Sequence, residues 1–119
     1  MASNFTYADL SYLESMAMGS NEMIVEMIQI FIDQLPEFTD GMTAHLDNRQ
    51  WTELGALAHK AKSSVAVMGM NALADDLKVL ELKAKSGLDT EQYPLLVSKF
   101  IEQVRVTGLE LGAYAASLG

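Results

Sequence analysis

Residues 51–70 read WTELGALAHKAKSSVAVMGM. On a helical wheel at about 100° per residue, Leu54, Leu57, Ala58, Ala61, Val65 and Met68 fall within roughly 60° of one direction. That is the apolar stripe of a helix laid on a core. On the same geometry His59 lies about 140° from Leu54, so the spacing predicts an imidazole pointing to solvent. Its neighbours along the helix are Gly55, Ala56, Lys62, Ser63 and Ala66. All but Lys62 are small, so a large body can come close to the ring. Lys60, although adjacent in sequence, faces another side. Gly55 costs a helix about 1 kcal/mol relative to alanine. Two reasons for it stay open: tight packing against another helix, the commoner one, or the close approach of a partner's backbone.

The same periodicity runs outward in both directions. TYADLSYLESMAMG has Thr6 and Asp9 at capping-box spacing and Leu10, Leu13 and Met16 on one face. Ser20 is a good N-cap for a second helix, with Glu22 in its first turn. Ile24, Val25, Met27, Ile28, Phe31, Ile32 and Leu35 give that helix a broad apolar stripe, which Phe38, Met42 and Leu46 continue. Pro36 is expected to kink or split it. The third helix is expected from about Asn48 to Met68, closed by Gly69, with Trp51 as a packing anchor. Asn71 is expected to cap a fourth helix carrying Leu73, Leu77, Leu80 and Ala84, stopped at Gly87. Asp89 or Thr90 is expected to cap a fifth, with Pro94 near its first turn and Leu96, Phe100, Val104 and Leu111 on its inner face. Long amphipathic helices with short connections predict an all-α protein. The expected fold is an antiparallel four-helix bundle with an additional short N-terminal helix, a single domain over residues 1–119.

Composition narrows the function. A chain of 119 residues can bury its own core. A formal net charge of −8 disfavours nucleic acid as a partner, because nothing neutralises phosphates in bulk. The absence of cysteine removes disulfides, thiolate metal sites and a cysteine nucleophile. No charge-free stretch of 18 residues is apolar enough to span a membrane. MASNFTYADL lacks the basic and apolar regions of a signal peptide. A cytoplasmic, monomeric protein is the expectation.

The candidate chemistry centres on His59. An imidazole that is partly deprotonated near neutral pH offers a ring nitrogen as nucleophile. Lys62, one turn away, can hold a phosphoryl group by charge. By spacing alone, an exposed histidine beside a lysine is also ordinary surface. A di-metal bundle needs Glu-x-x-His pairs, and neither His59 nor His45 has a glutamate three residues before it. His45 reads as a structural residue near a helix end, where a cation is favourable. Met16, Met27, Met42 and Met68 fit apolar stripes and read as core filling rather than a binding groove. There is no Gly-rich nucleotide loop.

HKAKSSVAVMGM resembles the signature of histidine-containing phosphotransfer (HPt) domains: histidine, lysine three residues on, small residues, then glycine ten residues after the histidine. Here these are His59, Lys62, Ser63-Ser64 and Gly69. DNRQWTELGALAH resembles the family's approach to the histidine. LADDLKVLELKAKSG is similar to the helix that follows, including Leu80-Glu81. The likeness covers about residues 20 to 110. It implies a phosphocarrier in a two-component phosphorelay rather than a stand-alone enzyme, with no cofactor or metal of its own. His59 would take a phosphoryl group from a receiver-domain aspartate and pass it to another receiver. The implied partners are receiver domains of response regulators and hybrid histidine kinases. The receiver would bring the metal and dock over Gly55, Ala56, Ser63 and Ala66, with Glu81 also among the partner-binding residues. Two residues depart from the pattern. Ser63 stands where the family often has glycine, and Glu81 stands where some members place a glutamine touching the histidine. A carboxylate there can fix the ring tautomer, yet it also sits close to a bound phosphoryl group. The alternative reading is a helical module that binds proteins without being phosphorylated; the lysine at the third residue after His59 argues against it.

Overall fold

A computed structural model describes residues 5–118. Residues 1–4 and 119 lie outside it, and with them part of the stretch read for a signal peptide. The described residues form five α-helices and one 3₁₀ turn, with no strand. The helices are α1 (Ser11–Ala17), α2 (Asn21–Asp47), α3 (Trp51–Val67), α4 (Asn71–Ser86) and α5 (Tyr93–Leu118); the turn is Thr90–Gln92. Helix α2 packs on α3 and α5, and α4 also packs on α3 and α5, which closes a four-helix ring; α1 leans on α2. This is the antiparallel bundle with a short N-terminal helix that the periodicity predicts. The 27 residues of α2 span about 40 Å at 1.5 Å per residue. They set the 43 Å length of a molecule 20 Å across.

The stripes read from the sequence meet along the axis. Phe31, Phe38 and Met42 of α2, Leu54, Ala58, Ala61 and Val65 of α3, Leu73, Leu77, Leu80 and Ala84 of α4, and Phe100, Val104 and Leu111 of α5 are all buried. Phe38 and Phe100 meet edge to face across the core, centroids 6.5 Å apart. Trp51 packs edge-on against Tyr93 at 5.1 Å. The Tyr93 hydroxyl lies 2.7 and 2.6 Å from the carbonyls of Lys83 and Leu88, which ties the α4–α5 connection to α5. No helix among the described residues is long and apolar enough to cross a membrane.

Several local expectations are corrected. Thr6 and Asp9 form no capping box. The Thr6 N–H and hydroxyl both donate to Glu110 of α5, while the Asp9 carboxylate accepts from the N–H and hydroxyl of Ser11. Helix α1 therefore starts at Ser11, and Met16 is exposed while Ala17 takes the buried place. Pro36 does not split α2: it sits on the exposed side, and buried Phe31, Phe38 and Met42 hold the helix to the core on either side of it. Helix α3 begins at Trp51 rather than near Asn48, because Arg49 adopts a left-handed φ of 54° and breaks the run. Asn71 opens α4 but its side chain caps nothing. Asp89 turns left-handed ahead of the 3₁₀ turn and caps nothing either. Ser20 does cap α2, its hydroxyl accepting from the Met23 N–H at 3.2 Å.

Gly69 is needed for two reasons. Its φ of +74° is one that side chains avoid, and a Cβ there would run into the Asp9 carbonyl. With Gly69 bare, the Asp9 N–H reaches the Met68 carbonyl at 3.0 Å and pins the segment before α1 to the end of α3.

Candidate functional site

The α3 helix turns its Leu54–Val65 stripe inward and leaves His59 on the far side with 62 % of its side chain exposed. One nitrogen of the ring is nevertheless tethered. His59 Nδ1 lies 2.9 Å from Oε2 of Glu81, which projects from the facing helix α4. The other nitrogen, Nε2, has no hydrogen-bonding partner among the described residues. Glu81 is one turn along from Leu77 and one turn before Ala84, at the edge of the buried stripe of α4, and only 7 % of its side chain is exposed.

A carboxylate so covered requires partners. It has three. The Lys85 ammonium donates to Oε2 at 2.9 Å, the Lys62 ammonium to Oε1 at 3.2 Å, and the His59 ring completes the set. The Lys85 hydrogen bond does most to hold Glu81 ionised. Burial opposes it; the Lys62 hydrogen bond and the charges of His59 and Lys62 add to it, and the carboxyl is pushed down to about 2. With Nδ1 beside an ionised carboxylate, the ring proton belongs on Nδ1, and the Nε2 lone pair faces outward. One carboxylate against two ammonium groups leaves this corner net positive before the ring is counted. That answers the worry raised by a carboxylate near a phosphoryl group: the repulsive charge is over-compensated within 3.2 Å.

The structure brings His59, Lys62 and Glu81 into one cluster. It separates Gly55 from the rest of the small residues. Gly55 is buried in the α3–α4 seam, and a Cβ on it would stand 3.2 Å from the Glu81 carbonyl and 3.2 Å from Lys85 Cγ. A side chain there would press on α4, and the structure places Gly55 in that seam rather than on the exposed docking face expected from the wheel. Glu81, too, is covered rather than offered to a partner. Ala56 and Ser63 are exposed and Ala66 is half-buried, on the side of His59. Ser64 turns to α2, its hydroxyl donating to Gln34 at 3.0 Å, and Lys60 pairs with Glu37 at 2.6 Å. Beyond Ser63 and Ala66 a cleft continues to Asp9, Ser11 and Tyr12, which precede or belong to α1.

Lys85 went unread in the sequence, where only Lys62 stood out as a cation near the ring. Its signal is the four-residue spacing from Glu81 on one helix, which places the two side chains together. Among the described residues, no three histidine, aspartate or glutamate side chains gather as metal ligands.

The family model for the Hpt domain matches residues 26–107, well over half of the chain. No curated protein and no solved structure matches it.

Proposed function

The chain belongs to the Hpt domain family, whose role is histidine phosphotransfer in phosphorelays, and from that premise we propose that His59 relays a phosphoryl group between two receiver domains. Members of the family carry phosphate rather than act as stand-alone enzymes. The observation that supports the assignment most is the pairing of an exposed ring with a covered carboxylate at 2.9 Å.

The step is a direct transfer. The Nε2 lone pair attacks phosphorus in the aspartyl phosphate of a docked receiver. The P–O bond to the aspartate breaks, and its electron pair returns to that carboxylate. The phosphorylated ring keeps its proton on Nδ1 and gains positive charge, which Glu81 stabilises through the same hydrogen bond. No proton has to move. In the onward step a second receiver's aspartate attacks phosphorus, the P–N bond breaks, and Nε2 recovers its pair. Lys62 adds an ammonium one helical turn from the ring, and positioning and charge carry most of the work in such transfers. Ala56, Ser63 and Ala66 leave room for the receiver. His59, Lys62 and Glu81 all come from one copy of this chain, so its share of the site is complete within a monomer.

Incubation with a phosphorylated receiver tests this. The chain should gain acid-labile, base-stable phosphate. His59→Gln should fold and gain none, and His45→Gln should label as the parent does. Undiminished labelling of His59→Gln, or phosphate mapped to His45, overturns the assignment.

A further inference from the structure

Lys85 lies 26 residues from His59, outside HKAKSSVAVMGM though within the stretch similar to the family's next helix, and its ammonium makes the shorter of the two lysine contacts to Glu81. We infer that Lys85 is a positioning residue for phosphotransfer, balancing the Glu81 charge so that a carboxylate can hold the His59 ring beside a phosphoryl dianion. The inference rests on His59 being the phosphorylated residue. Its starting point is the departure at position 81. A neutral amide there would accept the Nδ1 proton without cost to an incoming dianion. A carboxylate accepts it more strongly but repels the phosphoryl group unless its charge is cancelled close by.

Lys62 alone serves two demands. It is the lysine one turn from His59 and the one a phosphoryl group would draw toward Nε2. If Lys62 turns to the phosphoryl oxygens, Glu81 loses that partner at the moment the dianion arrives. Lys85 stays on Oε2, the oxygen that also holds the ring. The two lysines therefore divide the work: one is free to follow the phosphate while the other keeps the carboxylate covered.

Gly55 is the third part of the arrangement. Lys85 reaches Glu81 by laying its stem along α3, and the passage lies over the bare Cα of residue 55, 3.2 Å from where a Cβ would be. A larger residue there would press on Lys85 Cγ and on the Glu81 backbone together. The glycine in the histidine-bearing helix and the lysine on α4 thus serve one purpose.

The test is a double-mutant cycle read as the rate of phosphoryl uptake from a phosphorylated receiver. Lys85→Ala should slow uptake about tenfold, within the coupling range of residues that share one ion-pair network. Lys85→Arg should recover most of that loss. In the Glu81→Gln background, where there is no charge to balance, Lys85→Ala should change the rate by less than about twofold. A lysine that merely stiffens α4 would cost the same in both backgrounds, and that result overturns the inference, as does a Lys85→Ala rate within twofold of the parent. A parent chain that takes up no phosphate at all overturns the proposed function and this inference with it.

Discussion

The two histidines of this chain sit in environments that differ less in geometry than in charge. In each, Nδ1 lies 2.9 Å from a side-chain oxygen, Gln50 Oε1 for His45 and Glu81 Oε2 for His59. In each, Nε2 is without a hydrogen-bonding partner among the described residues. His45 belongs to the last turn of α2, and Gln50 returns the favour by donating its backbone N–H to the His45 carbonyl at 2.8 Å. That ring is half-buried and pins a corner between two helices. His59 stands mid-helix, more exposed, with an ionised carboxylate behind it and two lysines behind the carboxylate. The same hydrogen bond is a structural clasp where a neutral amide makes it. Where a charged and balanced group makes it, the bond supports a ring that becomes cationic in the proposed transfer.

The contrast breaks most widely at the surface around the ring. Ser63→Gln should leave the melting temperature near the parent's, since exposed substitutions usually stay within about 0.5 kcal/mol. Receiver-dependent transfer should fall about a hundredfold, the cost of holding reacting atoms roughly 1 Å apart. Normal transfer in that variant would put the docking face elsewhere. Next in size is the charge. Lys62→Ala should slow transfer or shorten the phosphohistidine lifetime about tenfold with unchanged circular dichroism, and an effect within about twofold, roughly 0.4 kcal/mol, would reduce Lys62 to a solubilising residue.

A third test, read in stability rather than in rate, sharpens the comparison through acid titration. The Glu81 carboxyl is held at about 2 against an ordinary 4.5. A carboxyl whose folded value is depressed stabilises the fold fully above its ordinary value, and that stabilisation drains away as pH falls through the folded one. Urea unfolding of the parent between pH 4.5 and about 2 should thus show a steeper loss of stability than Glu81→Gln shows. Other carboxylates titrate in both and cancel in the difference. Gln50→Ala, beside the other histidine, should leave the slope as it is, since an amide does not titrate. Parallel slopes for parent and Glu81→Gln would mean that the lysines do not hold the carboxylate.

How much of this the sequence discloses depends on whether a feature is local. The stripes of α2 to α5 are legible because each records one helix against one core. The exposure of His59 follows from the same wheel, and Lys62 lies within one turn of it. Helix ends were less legible, because their signals were outbid: Glu110, over a hundred residues away in sequence, takes both donors of Thr6. Gly55 shows the limit best. A wheel places residue 55 on the histidine's side of α3 but holds no information on where α4 comes down. Only the second helix reveals that the glycine faces Lys85. The Glu81 contact, 22 residues from His59, is foreseen through the resemblance and not through spacing, since no periodicity within one helix reports on its neighbour.

The pin between Asp9 and the end of α3 has a consequence for where this protein can be cut. The stretch matched by the family model, residues 26–107, is shorter than the unit that packs. Leu10, Leu13, Ala17 and Ile24 before it, and Leu111 after it, are all buried in the common core. The segments outside the match also clasp each other, Thr6 to Glu110 and the Phe5 ring edge-on to Tyr114 at 5.4 Å. Each large aliphatic side chain among them is worth about 1.5–3 kcal/mol of burial, against a total stability of roughly 5–15 kcal/mol for an ordinary domain. A fragment trimmed to the matched boundaries would keep His59, Lys62, Glu81 and Lys85 together with α3 and α4, and would lose part of the core on which those two helices rest.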